Sequence, residues 1–209
     1  MKTSKVIPLF QLETLYRILL QRIAKGYSAK QLSFLIGAAS ADYVEEVESL
    51  QRPFYSGGEL ERIAQALDDT NVDSFFPAIN DDSVVHITVD KQFYQGKWIH
   101  TYCRLDEQNE EEELFRLRED QEMDFDDLPD GDDVLACVED TIDVLVRSGY
   151  FYEPKLPLEV FKAINNLLPV PVSPFYIYVA MTRFCDQESD TGPLRLVGEN
   201  GAAIKYEEC

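Results

Sequence analysis

Imidazole and thiol groups are scarce, two histidines and four cysteines in 209 residues, and Cys103, Cys137, Cys185 and Cys209 lie far apart with no C-x-x-C pair. That spacing matches neither a zinc site nor a small disulfide scaffold, and it reads as buried or idle thiols. His86 and His100 fall on two expected strands, where they could face one another near Cys103; such a pair reads as polar packing rather than as metal ligands. A comparison with a calcium loop started at Asp126 places Asp130 and Gly131 at the fifth and sixth positions, but Leu128 and Cys137 stand where oxygen ligands are required. No nucleophile motif, glycine-rich phosphate loop or H-E-x-x-H is present. The expectation is therefore no enzyme, with no catalytic residue, no cofactor and no metal. No charged leader opens the sequence and no apolar run approaches the ~20 residues that cross a bilayer, so a cytoplasmic location and no membrane partner are expected.

Positive charge is the other scarcity. The chain holds 19 basic against 39 acidic residues, a net charge of -20. The imbalance is uneven: residues 1–75 hold 8 Lys/Arg against 10 Asp/Glu, and the remainder holds 11 against 29. Nucleic-acid binding rests on Lys and Arg displacing counterions from phosphates, so the overall field opposes DNA while leaving room for a local basic patch. Hydrophobic residues make up 45% of the chain and aromatics 11%, enough to bury cores rather than stay disordered.

What is present is a run of short amphipathic segments. Residues 11–25 repeat leucine and isoleucine at 12, 15, 18, 19 and 23, a helical stripe that Gly26 ends. Ser28 and Gln31, then Ser56 and Glu59, have the form of capping boxes at two helix starts. Gly37 suits a tight turn and Ser40 is placed to cap the helix after it. Residues 70–83 read as a linker. "VVHITVD" and "KWIHTYCRL" alternate as a strand pair. From Asp106 to Asp133 there are 15 acidic residues and two arginines. This stretch is expected to hold at most a helix around "EEEELFRLRED", with a mobile solvated loop after it. Beyond Val134, three helical segments, two of them opened by Pro157 and Pro174, precede two strands around Asn200-Gly201, a strong hairpin signal. The expected fold class is mainly α with small β. It comprises an N-terminal helix-turn-helix bundle (1–70), a linker with a central β-hairpin and acidic segment (71–133), and a C-terminal winged helix (134–209).

Residues 12–68 resemble the phage-repressor or Xre type of helix-turn-helix domain. The resemblance is carried by Arg17 and Arg22 on the leading helix, the Ser28 helix, the Gly37 turn, Tyr43-Val44-x-x-Val47-Glu48, Pro53 and "LERIAQALD". It implies a transcription-regulator-like protein in which Arg17, Arg22, Lys30 and Gln31 hold phosphates while Ser40, Ala41 and Asp42 meet base edges. Glu48 has a structural reading, since the family often carries an acid there. Residues 134–208 resemble a winged helix of no particular family. Against DNA stand Glu45 and Glu46 on the third helix, because a like-charge contact near 4 Å costs about 1 kcal/mol in water and more when partly dehydrated. The helix from Pro174 is expected to leave Phe175, Tyr178, Val179 and Arg183 outward, a face better suited to docking a protein. Partners are therefore duplex DNA or, alternatively, a basic protein held by an acidic interaction module, an adaptor or DNA mimic, with a homodimer also compatible.

Overall fold

The structure is a computed structural model and describes residues 2–69, 71–78, 83–122, 128–129, 131–185, 192–198 and 202–209. Asp126, Asp130, Glu199 and the Asn200-Gly201 turn lie outside the described residues. The chain forms two compact units, Met1–Leu32 with Asp42–Glu122, and Ser33–Ala41 with Met123–Cys209. No helix among the described residues is long and apolar enough to cross a membrane.

The first unit opens with strand β1 (Lys2–Pro8), which leads directly into helix α1 (Leu9–Ala24). Leu12, Leu15, Ile18 and Leu19 turn inward as their spacing predicts, but the stripe continues through Arg22 rather than Ile23. Gly26, at φ +73°, takes the left-handed conformation that stops the helix. Helix α2 (Ala29–Leu35) starts with the expected capping box: Ser28 Oγ accepts from the Gln31 N–H at 3.1 Å, and Gln31 Oε1 accepts from the Ser28 N–H at 3.4 Å. Helix α3 (Tyr43–Glu48) buries Val44, Val47 and Glu48; its cap residue is Asp42, not Ser40. Helix α4 (Gly57–Ala66) begins at the second capping box, Ser56 with Glu59, and buries Leu60, Ile63 and Ala64.

Strands β2 (Val84–Tyr94), β3 (Lys97–Leu105) and β4 (Glu111–Asp120) follow as an antiparallel meander, and β1 adds to its other side, giving the order β1-β2-β3-β4. Gln95 and Gly96, both at positive φ, make the two-residue turn between β2 and β3. The pairs Tyr102↔Phe115 and Cys103↔Glu113 leave Leu114 as a bulge. One sheet face carries the buried Ile7, Ile87, Val89, His100 and Tyr102. It meets α1 where Tyr102 stacks on Phe115 at 4.4 Å and Phe115 lies 4.7 Å from the Tyr16 ring.

This sheet overturns the expectation of a mainly α fold with small β: among the described residues there are seven helices and six strands, four of them in one antiparallel sheet. Residues 111–120 are an ordered strand, not a helix or loop. Strands 84–120 belong to the same unit as the first helices rather than to a separate linker segment.

The second unit holds α5 (Asp133–Arg147), α6 (Pro157–Leu167), α7 (Pro174–Phe184) and the paired strands β5 (Leu194–Val197) and β6 (Lys205–Glu208). Asp132 caps α5 by accepting the Leu135 N–H at 2.8 Å, and the two prolines sit in the first turns of α6 and α7 as expected. Residues 33–41 belong to this unit together with residues 123–209. Ile204 N–H donates to Gly37 O at 2.8 Å, and Lys155 and Tyr206 exchange two backbone bonds of 2.8 Å. Gly37 has φ +68°, and a Cβ there would stand 2.7 Å from Ile204 O. Gly37→Ala is therefore expected to lower stability by about 1–3 kcal/mol, from backbone strain and the clash together. Gly26→Ala, with the same sign of φ but nothing within 4 Å, should cost less. Urea unfolding of the two variants checks the order.

Candidate functional site

The side chains singled out in the sequence do not form one surface. Arg22 has no solvent exposure. Its Nε and Nη2 donate to Glu48 Oε1 and Oε2, both at 2.8 Å, and its Nη1 and Nη2 donate to Glu119 Oε1 and Oε2 at 2.5 and 3.2 Å. Nη1 also donates to Tyr27 O at 2.7 Å. The guanidinium fork thus meets two carboxylates from α3 and β4, a geometry that a lysine ammonium could not reproduce. Behind Glu119, the buried His100 donates its Nε2–H at 2.7 Å, and Tyr102 Oη donates to Glu48 O at 2.6 Å. His86 lies on the opposite sheet face, beside Ser4 at 2.7 Å, so the two histidines do not face each other. The role of Arg22 as a phosphate contact is corrected accordingly: as a bare surface cation it would need to leave two buried anions. Glu48 takes the structural role foreseen for it.

Burial alone would raise the Glu119 pKa. The hydrogen bond from His100 and the adjacent Arg22 charge outweigh it and hold the carboxyl down to about 2. Burial likewise disfavours the Arg22 cation, and Glu48 and Glu119 reverse that effect. Tyr55, packed near the same groups, is buried with its hydroxyl unpartnered among the described residues.

Arg17, also expected to hold a phosphate, and the neighbouring Arg52 have protein partners as well. Arg17 Nη1 donates to the carbonyls of Ser74 and Phe76 at 3.1 and 2.9 Å. Arg52 is paired with Glu46, and its guanidinium lies 5.4 Å from the Tyr43 ring centre. Lys30 is exposed in the neighbourhood of Glu122, and Gln31 serves the α2 cap. Ser40 is half-buried, and Ala41 and Asp42 are exposed. Glu45 meets Lys91 at 3.0 Å.

In α7 the outward aromatic face is corrected. Phe175 and Val179 are 4% and 3% exposed, and the half-buried Tyr178 ring lies 5.4 Å from Phe34. The helix packs against α5, and residues 33–41 bring Phe34 to the side that periodicity had left open. Arg183 remains exposed and pairs with Glu139 at 2.6 Å. Among the described residues, no three His, Cys, Asp or Glu side chains gather in a way that could hold a metal ion.

No protein-family model, no curated protein and no solved structure matches the chain.

Removing one partner of a buried ion pair leaves an uncompensated charge, so Arg22→Ala should cost about 3–5 kcal/mol in urea unfolding. Arg22→Met combined with Glu48→Gln and Glu119→Gln should recover much of that loss. Because the folded pKa of Glu119 is depressed, its contribution is fully present above about pH 4.5 and is lost as the pH falls toward 2, a swing of about 3 kcal/mol. Acid titration of stability should show that window in the native chain and not in Glu119→Gln. Tyr55→Phe should be neutral or stabilising, whereas Tyr102→Phe, which loses a bond, should cost about 1 kcal/mol.

Proposed function

We propose that the chain is an acidic protein-interaction module built on helix-turn-helix-like elements and directed at a basic protein rather than at duplex DNA. The observation that carries this reading is the commitment of Arg22 to Glu48 and Glu119, which removes the central cation of the expected phosphate-binding side. The engagement of Arg17 and Arg52 supports it further. Affinity for DNA grows with the number of Lys and Arg free to displace counterions, and Arg17, Arg22 and Arg52 are engaged within the protein. The acidic excess is still displayed: Asp106, Glu107 and Glu110 are exposed, and Glu111, Glu112 and Glu113, though paired with Lys2, Arg104 and Arg116, are exposed beside them. A field of that sign speeds encounter with a basic partner and repels phosphates.

A second reading, a DNA-binding regulator of the phage-repressor type, draws on the order α2, turn, α3 and on the exposure of Lys30, Ala41 and Asp42. Fluorescence anisotropy across a salt series separates the two. The native chain should bind a labelled lysine-rich peptide with affinity that falls as salt rises, and should leave labelled random duplex DNA unbound at low ionic strength. Glu45→Lys with Glu46→Lys should weaken peptide binding and gain some DNA affinity. Salt-dependent binding of duplex DNA by the native chain, without peptide binding, would restore the regulator reading.

A further inference from the structure

The sheet face turned away from α1 carries a cup that neither reading uses. Four strands contribute to one row across it: Lys2 pairs with Asp90, Asp90 with Thr101, and Thr101 with Arg116. In the next row Thr88 stands opposite Cys103. Short side chains at the centre, Thr88, Thr101 and Cys103, are ringed by the longer Lys2, Gln92, Glu111 and Arg116, and this difference in reach hollows out a cavity of about 370 Å³. That volume lies in the range of small-molecule sites. Asp90 on the central strand β2 is of a residue type depleted in strands, and it stands in the middle of this row.

The charges of the cup are already matched. Lys2 Nζ meets Glu111 Oε1 at 2.7 Å, Arg116 Nη2 meets Glu113 Oε2 at 2.5 Å, and Gln92 Nε2 donates to Asp90 Oδ2 at 2.5 Å. Thr88 Oγ1 donates to Glu111 Oε1 at 2.6 Å. In a chain of net charge -20, the lining itself holds two cations and two anions, so it asks for neither an anionic nor a cationic ligand. It does offer hydroxyl, carboxamide, carboxylate and guanidinium groups in a small space, a mixture of donors and acceptors suited to a ligand rich in hydroxyls. At one end stands Tyr94, 64% exposed, with an open aromatic ring. Aromatic rings with one wet end are common anchors for ligands that are apolar on one side and polar on the other.

We propose that this cup binds a neutral saccharide, with Asp90, Gln92, Thr101 and Arg116 bonding its hydroxyls and Tyr94 lying against its C–H face. The proposal does not depend on the identity of the protein partner. The test is an amide NMR titration of the full chain with maltotriose, cellotriose and triacetylchitotriose, each to about 10 mM, enough to reveal a millimolar dissociation constant. At least one trisaccharide should shift the amides of Thr88, Asp90 and Thr101 while those of Leu15 and Ile18 on α1 stay in place. Asp90→Ala should weaken that trisaccharide about ten-fold or more, the loss of one charge-assisted hydrogen bond. Thr101→Trp should abolish the shifts by filling the cup. Unchanged α1 signals confirm that both variants fold. The proposal is overturned if no trisaccharide moves these amides, or if both variants bind as the native chain does. It is equally overturned if ATP, spermidine or glycylglycine moves the same amides at lower concentration than any trisaccharide.

Discussion

Arg22 carries a full positive charge into the interior of the first unit, and the surrounding elements are arranged to answer it. A guanidinium taken out of water is tolerated only when its five donors find acceptors and its charge finds anions. Glu48 comes from α3, Glu119 from β4, and the Tyr27 carbonyl from the turn after α1. His100 and Tyr102 on β3 then hold the two acids from behind, one through the Glu119 carboxylate and one through the Glu48 carbonyl. A single side chain thereby fixes α1, α3 and two neighbouring strands in one register.

The same cluster explains why the acid-rich segment is a strand. Six of the ten residues Glu111–Asp120 face solvent as charges of either sign, a composition that by itself favours a hydrated loop. Phe115, stacked on Tyr102, and Glu119, bound by Arg22 and His100, are the two points at which it is drawn into the core. Acidity elsewhere in the strand is compatible with order because Lys2, Arg104 and Lys97 answer Glu111, Glu112 and Asp120.

Local signals were legible in the sequence and long-range ones were not. Both capping boxes, the stripes of α1 and α4, the β2 and β3 pair and the proline-started helices follow from contacts within a few residues, which pattern and propensity report. Strand β1 escaped notice because its side chains are mostly solvent-facing and polar, with Ile7 alone fully buried. Arg22 looked like a surface cation because nothing near it in sequence announces Glu119, 97 residues away. Phe175 and Val179 looked exposed because the second side of α7 is covered from residues 33–41, far upstream. The candidate site is least legible for this reason, since single-helix periodicity sorts its residues onto faces without counting neighbours contributed by distant segments.

Electrostatics then separates shape from use. Helices α2 and α3 follow one another across a turn, while Arg22 is held inside and Arg17 and Arg52 are tied to carbonyls and a carboxylate. The most direct measurement of this account is the Nε–H resonance of Arg22 in a side-chain ¹⁵N–¹H spectrum of the native protein, recorded with and without duplex DNA. A cation locked between Glu48 and Glu119 should give a sharp signal whose proton exchanges far more slowly than those of the other arginines and which DNA leaves unchanged. A rapidly exchanging signal, or one that shifts when DNA is added, would contradict the buried cluster and the reading built on it.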